Sequence, residues 1–153
     1  MQPDFNRFFA EYAAAFNRSL GDKVDTDAIT RAFADSFIGA SPSGIVCGEN
    51  GEKFRKVLED GYAFYKAVGT QRISVRKLDV HAIDGDHHLA KVAWRAEYAR
   101  RDREPVTIDF DVTYLLQTLP KSEPKIFAFV TGDELAALKK HGLLDESGNK
   151  ARS

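Results

Sequence analysis

The chain has 153 residues, 22 of them basic and 23 acidic, for a formal net charge of −1. That balance argues against a protein that grips nucleic acid by neutralising phosphates, which needs a clustered basic excess. An apolar fraction of 43% beside 29% charged residues is ordinary for a folded domain and sets aside disorder, collagen and disulfide scaffolds.

A chain this long can bury about 70% of its unfolded surface in one domain without disulfides or metal. The single cysteine, Cys47, leaves no intrachain disulfide and suits a reducing compartment. The start, Met1 to Phe5, lacks the basic head and apolar stretch of a signal peptide. No apolar run approaches the ~20 residues that span a bilayer. The expectation is a cytoplasmic protein that engages neither membrane nor nucleic acid.

In chain order, Phe5, Phe8, Phe9, Tyr12, Ala13 and Phe16 recur at helical spacing, after a Pro3-Asp4 start signal. Asp25 or Thr26 can cap a second helix that buries Ile29 and Phe33. Ser41-Pro42-Ser43-Gly44 reads as a turn between two short extended pieces, 37–40 and 45–47. A third helix spans Phe54 to Val68 and closes at Gly69.

From Ile73 the period changes to two. Ile73 and Val75 share one parity, Leu78, Val80 and Ala82 the other, and a bulge near Arg76-Lys77 reconciles them. Asp84-Gly85 signals a hairpin. The next strand sets Ala90, Val92, Trp94, Ala96 and Tyr98 on one face, and the one after it Ile108, Phe110, Val112, Tyr114 and Leu116. A turn at Asp102-Arg103-Glu104 would pair residue 101 with 105, so that even numbers face even numbers and both apolar sets share one side. After a turn at Pro120–Pro124 come a last strand, 126–130, and a short helix begun by Thr131-Gly132-Asp133-Glu134, with Leu135 and Leu138 on its apolar side.

Helices ahead of an antiparallel sheet mean α+β, a single domain over 1–144 with a frayed tail at 145–153. Strands this long must curl around the helices into a cone with an apolar interior.

Three stretches carry a family resemblance: Glu11-Tyr12-Ala13-Ala14-Ala15-Phe16-Asn17, Ala32-Phe33-Ala34-Asp35, and the meander ending in Lys125-Ile126-Phe127-Ala128-Phe129. Together with the element order they resemble the nuclear transport factor 2-like superfamily, of cystatin-like fold. The likeness is greatest to its bacterial branch of ketosteroid isomerases and SnoaL-like cyclases. The resemblance implies that Tyr12 stands where the isomerase tyrosine donates to a developing oxyanion, which makes it the one candidate catalytic residue. Ser41, before Pro42, stands at the catalytic aspartate, and Val112 at the second oxyanion donor. A serine hydroxyl is no unaided base and valine donates nothing, so steroid isomerisation is not expected.

The inward faces converge Tyr12, Tyr62, Trp94, Tyr98 and Tyr114 on one interior, with Phe16, Val57, Val92, Phe110 and Val112 as the apolar wall. Such a set suits a small apolar or aromatic ligand. No ionisable residue falls on that face, so binding is favoured over catalysis. Asp35 reads as a turn tie, and Asp109 and Asp111 as partners of Arg95 across the strands or of solvent. His87 and His88 are strand neighbours and point to opposite faces. No HExxH, CxxC or phosphate-loop spacing occurs, so neither metal nor cofactor is expected. The polar sheet face, with Lys91, Arg95, Glu97, Asp109, Asp111 and Thr113 around Ala93 and Leu115, suits a two-fold copy, hence a homodimer. The functional expectation is a small-molecule binding domain or an enzyme of the isomerase, dehydratase or cyclase kind. The alternative is a dimeric interaction or structural module without catalysis.

Overall fold

The computed structural model describes residues 3–100 and 103–145. The expected tail therefore lies outside the described residues from 146 onward, as do positions 101 and 102. Two helices open the chain, α1 (Phe5–Ser19) and α2 (Thr26–Arg31). Each is capped by the aspartate before it. Asp4 accepts from the Arg7 N–H and Asp25 from the Ala28 N–H, satisfying donors that a helix start leaves free.

A hairpin follows, β1 (Phe33–Ser41) and β2 (Gly44–Glu49), then α3 (Glu52–Ala67). Gly69 sits at φ +93°, and a Cβ there would meet the Ala99 carbonyl oxygen at 2.4 Å, so only glycine fits this exit from α3. Three long strands form a meander, β3 (Thr70–Ala82), β4 (His87–Arg100) and β5 (Arg103–Gln117). Then come β6 (Lys125–Val130) and a short α4 (Glu134–Lys140).

The six strands make one curved sheet in the order β2-β1-β6-β5-β4-β3, with helices against its concave face. The α+β class and the cone are as the patterning predicts. The bulge is too: Val75 lies opposite Trp94 and Lys77 opposite Ala93, leaving Arg76 as the extra residue. The inner parity also holds, since Ala90, Val92, Trp94, Ala96 and Tyr98 are buried, with Ile108, Val112, Tyr114 and Leu116 opposite.

Four details differ from the sequence reading. The sheet is not wholly antiparallel: β1 runs parallel to β6, with Phe33 opposite Ile126 and Ala40 opposite Val130. Phe33 opens β1 rather than extending α2, because the Ala32 carbonyl already accepts the Ile126 N–H at 2.8 Å. In the β4–β5 pair even numbers do face even numbers, but Tyr98 lies opposite Val106, two residues from the predicted register. Arg103 and Glu104 belong to β5 rather than to a turn. Leu135 is 52% exposed, and Leu143 and Leu144 join Leu138 in the core instead.

Two inner-face glycines show how closely the hairpin packs: a Cβ on Gly39 would lie 2.7 Å from the Phe129 ring, and one on Gly48 2.5 Å from Phe37. Among the described residues no helix is long and apolar enough to cross a membrane.

Candidate functional site: an aromatic cavity at the open end of the cone

Asn17 fixes the helix that carries the candidate tyrosine. Its side chain accepts from the Ile73 N–H at 2.8 Å and donates to the Ile73 carbonyl at 3.0 Å. Because β3 is an edge strand, the asparagine stands in for the missing neighbour and ties α1 across the sheet. Ahead of Asn17 on the same helix, Tyr12 and Phe16 face inward.

Between α1, the inner sheet face and α4 lies a cavity of about 350 Å³. That is within the ~300–1,000 Å³ usual for small-molecule sites. Seven of the ten predicted pocket residues line it: Tyr12, Phe16, Trp94, Tyr98, Phe110, Val112 and Tyr114. Three do not. Tyr62 is buried beside it, packed on Phe16 at 5.0 Å and Tyr65 at 5.7 Å between ring centres. Val92 is fully buried, deeper along β4. Val57 is 63% exposed on the outer side of α3, so the expectation that it forms a wall is corrected. Tyr65 takes the place that α3 was expected to fill with Val57 and Tyr62.

The polar groups of the cavity are few. The Trp94 indole donates to the Tyr114 hydroxyl at 3.1 Å, a buried pair within the wall. The Tyr12 hydroxyl makes no hydrogen bond among the described residues, and burial pushes its pKa up to about 12. Thr70, only 7% exposed, lines the cavity with a hydroxyl that has no hydrogen-bond partner of ordinary geometry. Burial also raises Tyr65 and Tyr114, and brings Tyr98 up to about 12.

One carboxyl escaped the sequence reading. Glu134, the first residue of α4, lines the cavity. Surrounding protein raises its pKa by desolvation, although the residue as a whole keeps an exposed surface. Its charge is felt by both Tyr65 and Tyr98, whose ionisation it opposes. The signal in the sequence was the Asp133-Glu134 helix start; what it did not reveal is that this helix borders the cavity.

The other polar candidates lie elsewhere. Ser41 ends β1 and its hydroxyl accepts the Ser43 N–H within the hairpin turn, so the position that resembles the isomerase base is away from the cavity. Asp35 is exposed on β1, where its carbonyl accepts the Asn50 N–H. Asp109 holds Arg95 in a two-pronged pair at 2.8 and 3.1 Å on the outer face, and Asp111 lies 3.7 Å from Lys91. His87 bonds Asp84 at 2.8 Å, while His88 turns inward against Phe5. Among the described residues no three His, Cys, Asp or Glu side chains gather to hold a metal. A second hollow of about 390 Å³ opens on the other side of Tyr12, toward α2 and residues 123–125. Of its cations, Arg18 pairs with Asp25 and Lys125 with the Arg31 carbonyl.

The chain is similar to many solved structures of this shape. They include an NTF-2 like protein of unknown function from Shewanella oneidensis (13% identity, 84% of this chain and 96% of that one, TM-score 0.62). A ketosteroid isomerase-like protein from Erwinia carotovora atroseptica matches at 14% identity over 83% and 91% of the two chains, TM-score 0.57. An NTF2-like protein with a cystatin-like fold from Novosphingobium aromaticivorans matches at 13% over 87% and 83%, TM-score 0.63. At these identities the likeness concerns the fold alone. No curated protein matches the sequence. The family described as NTF2-like protein (DUF6841) matches residues 3–134, which takes in both the α1 signature and the whole sheet, and the chain belongs to that NTF2-like family.

Proposed function

We propose that the protein binds a small, flat, largely apolar molecule in the cone cavity. The observation that carries this reading is the aromatic wall around about 350 Å³ of space, into which the Thr70 hydroxyl comes without a hydrogen-bond partner of ordinary geometry. A buried hydroxyl without a partner costs free energy, and a ligand carbonyl, hydroxyl or amine would restore the bond. Aromatic walls supply most of the contact area and the hydroxyls supply orientation. Trp94 is the chain's single tryptophan and lines the cavity, so its fluorescence reports directly on occupancy. Titration with flat hydrophobic compounds should shift that emission and raise the melting temperature. Ala96→Leu, which adds bulk to a lining position, should abolish both effects. Compounds that stabilise the wild type and the filled variant equally do not use this site.

A second reading, proton transfer on the bound molecule, is favoured by Glu134, a carboxyl at the same wall as the tyrosine hydroxyls. A raised carboxyl beside a hydrogen-bond donor is the pairing that general acid–base chemistry uses. Loss of a detected turnover in Glu134→Gln, with binding of the same compound retained, is the test.

The outer sheet face supports self-association as part of this proposal. Ile38, Ile45 and Val130 are 46%, 75% and 55% exposed, and the register sets all three on that face beside Ala40 and Cys47. They extend the mixed-charge area of Lys91, Arg95, Asp109 and Asp111 into one surface of apolar and paired-charge halves, suited to a two-fold copy.

A further inference from the structure

The charge at the cavity wall is one-sided. Among the described residues that line it there is no lysine, arginine or histidine, whereas Asp111, Asp133 and Glu134 are acidic. Two of these are committed. Asp111 turns to Lys91 on the outer face, and Asp133 caps α4 by accepting the Ala136 N–H at 2.9 Å. Glu134 pairs with no cation among the described residues, and the groups that feel its charge are the phenols of Tyr65 and Tyr98.

Nine of the lining residues are aromatic, drawn from α1, β1, α3, β4, β5 and β6, so they surround the space rather than covering one side. Aromatic faces carry negative quadrupole charge and attract cations, most strongly where water is excluded. An anionic ligand would meet no counter-charge here and would lie beside a carboxylate. A neutral ligand would leave the Glu134 carboxylate at the cavity wall without a partner. The Thr70 hydroxyl, at the wall beside Tyr98 with no partner of ordinary geometry, is a further acceptor for an ammonium N–H.

Building on the proposed ligand-binding role, we propose that the cavity is selective for organic cations. Its ligand is an apolar amine or quaternary ammonium compound whose charged nitrogen sits beside Glu134, Tyr65 and Tyr98 and whose hydrocarbon body fills the space around Trp94.

The test uses the full chain and three probes of matched shape: phenyltrimethylammonium, its neutral isostere tert-butylbenzene, and the anion 4-tert-butylbenzoate. Trp94 fluorescence is the readout, with melting temperature as the second. The cation should bind at least tenfold more tightly than the neutral isostere, and the benzoate more weakly than either. Glu134→Gln should weaken the cation several-fold and leave the neutral probe unchanged, the aromatic faces keeping a residual preference for the cation. Equal or tighter binding of tert-butylbenzene, or a cation affinity that Glu134→Gln leaves unchanged, overturns the proposal while leaving the cavity a ligand site. If no probe perturbs Trp94 or the melting temperature, both the selectivity and the ligand-binding role fall.

Discussion

Replacing Asn17 by alanine removes both bonds that hold α1 to the edge of the sheet, with the substitution itself at a half-buried surface. Each bond contributes about 1 kcal/mol net, and a backbone group left unpaired in a buried setting costs about 1–3 kcal/mol. Ile73 is 6% exposed, and its freed N–H and carbonyl point under α1 rather than into open water. We expect a loss of about 2–4 kcal/mol, or a fall in Tm of roughly 5–15 °C for a chain of this size. Urea denaturation followed by far-UV circular dichroism measures it. Asn17→Asp keeps the acceptor for the Ile73 N–H but sets an oxygen against the Ile73 carbonyl, so it should rescue little. The same loosening should shift the Trp94 emission, because α1 carries Tyr12 against Trp94 at 6.1 Å between ring centres. A midpoint for Asn17→Ala within about 0.5 kcal/mol of wild type would refute the reasoning. Water would then replace the two bonds, and α1 would be held by packing alone.

Gly48→Ala forces the Phe37 ring out of its stack with Phe33, Phe54 and Phe129, and should cost about 1–3 kcal/mol by the same denaturation assay. All five tyrosines have pKa values raised by burial. A phenol held above its unfolded value of 10.0 stabilises the fold fully below pH 10 and loses that contribution as pH climbs through the folded value. Phenolate absorbance should therefore stay low above pH 10 and then rise together with loss of circular dichroism; a gradual titration centred on pH 10 in folded protein would contradict this. Glu134 is also raised, so the fold holds its proton more tightly than the unfolded chain does. Its contribution is present below the ordinary 4.5 and lost as pH rises through the raised value, and Glu134→Gln should flatten that part of the stability curve. Light scattering at tens of micromolar should give twice the 17.1 kDa chain mass, falling to the single mass in Ile45→Lys; a wild-type monomer would count against the outer-face interface.

What the sequence made legible was which way side chains face; how far along the cone they lie was not. Period-two alternation put Val92, Trp94, Ala96 and Tyr98 on one side of β4, and all four are buried there. Only the last three line the cavity, because Val92 lies deeper, where the interior is filled. The same holds on α3, where helical spacing could not tell the face toward Phe16 from the outer side that holds Val57. The bulge at Arg76 was legible because a change of parity demands it. The parallel pairing of β1 with β6 was not, since strands nearly ninety residues apart carry no local mark of their partner.

The missed carboxyl has the same origin. A helix of seven residues has too few apolar positions to announce a face, and α4 aligns with the cavity only because β6 ends beside β1 and the chain turns back at Thr131, whose N–H donates to the Ala40 carbonyl. That bond joins the two elements whose pairing was illegible, and Glu134 follows three residues later. Among the described residues, the one carboxyl at the wall without a cation or capping partner thus depends on the parallel β1–β6 contact. Face periodicity alone predicts an aromatic interior without charge, whereas the β1–β6 contact places a carboxyl among the tyrosines. Whether the cavity prefers neutral or positively charged guests turns on that contact, and the matched probes measure its consequence directly.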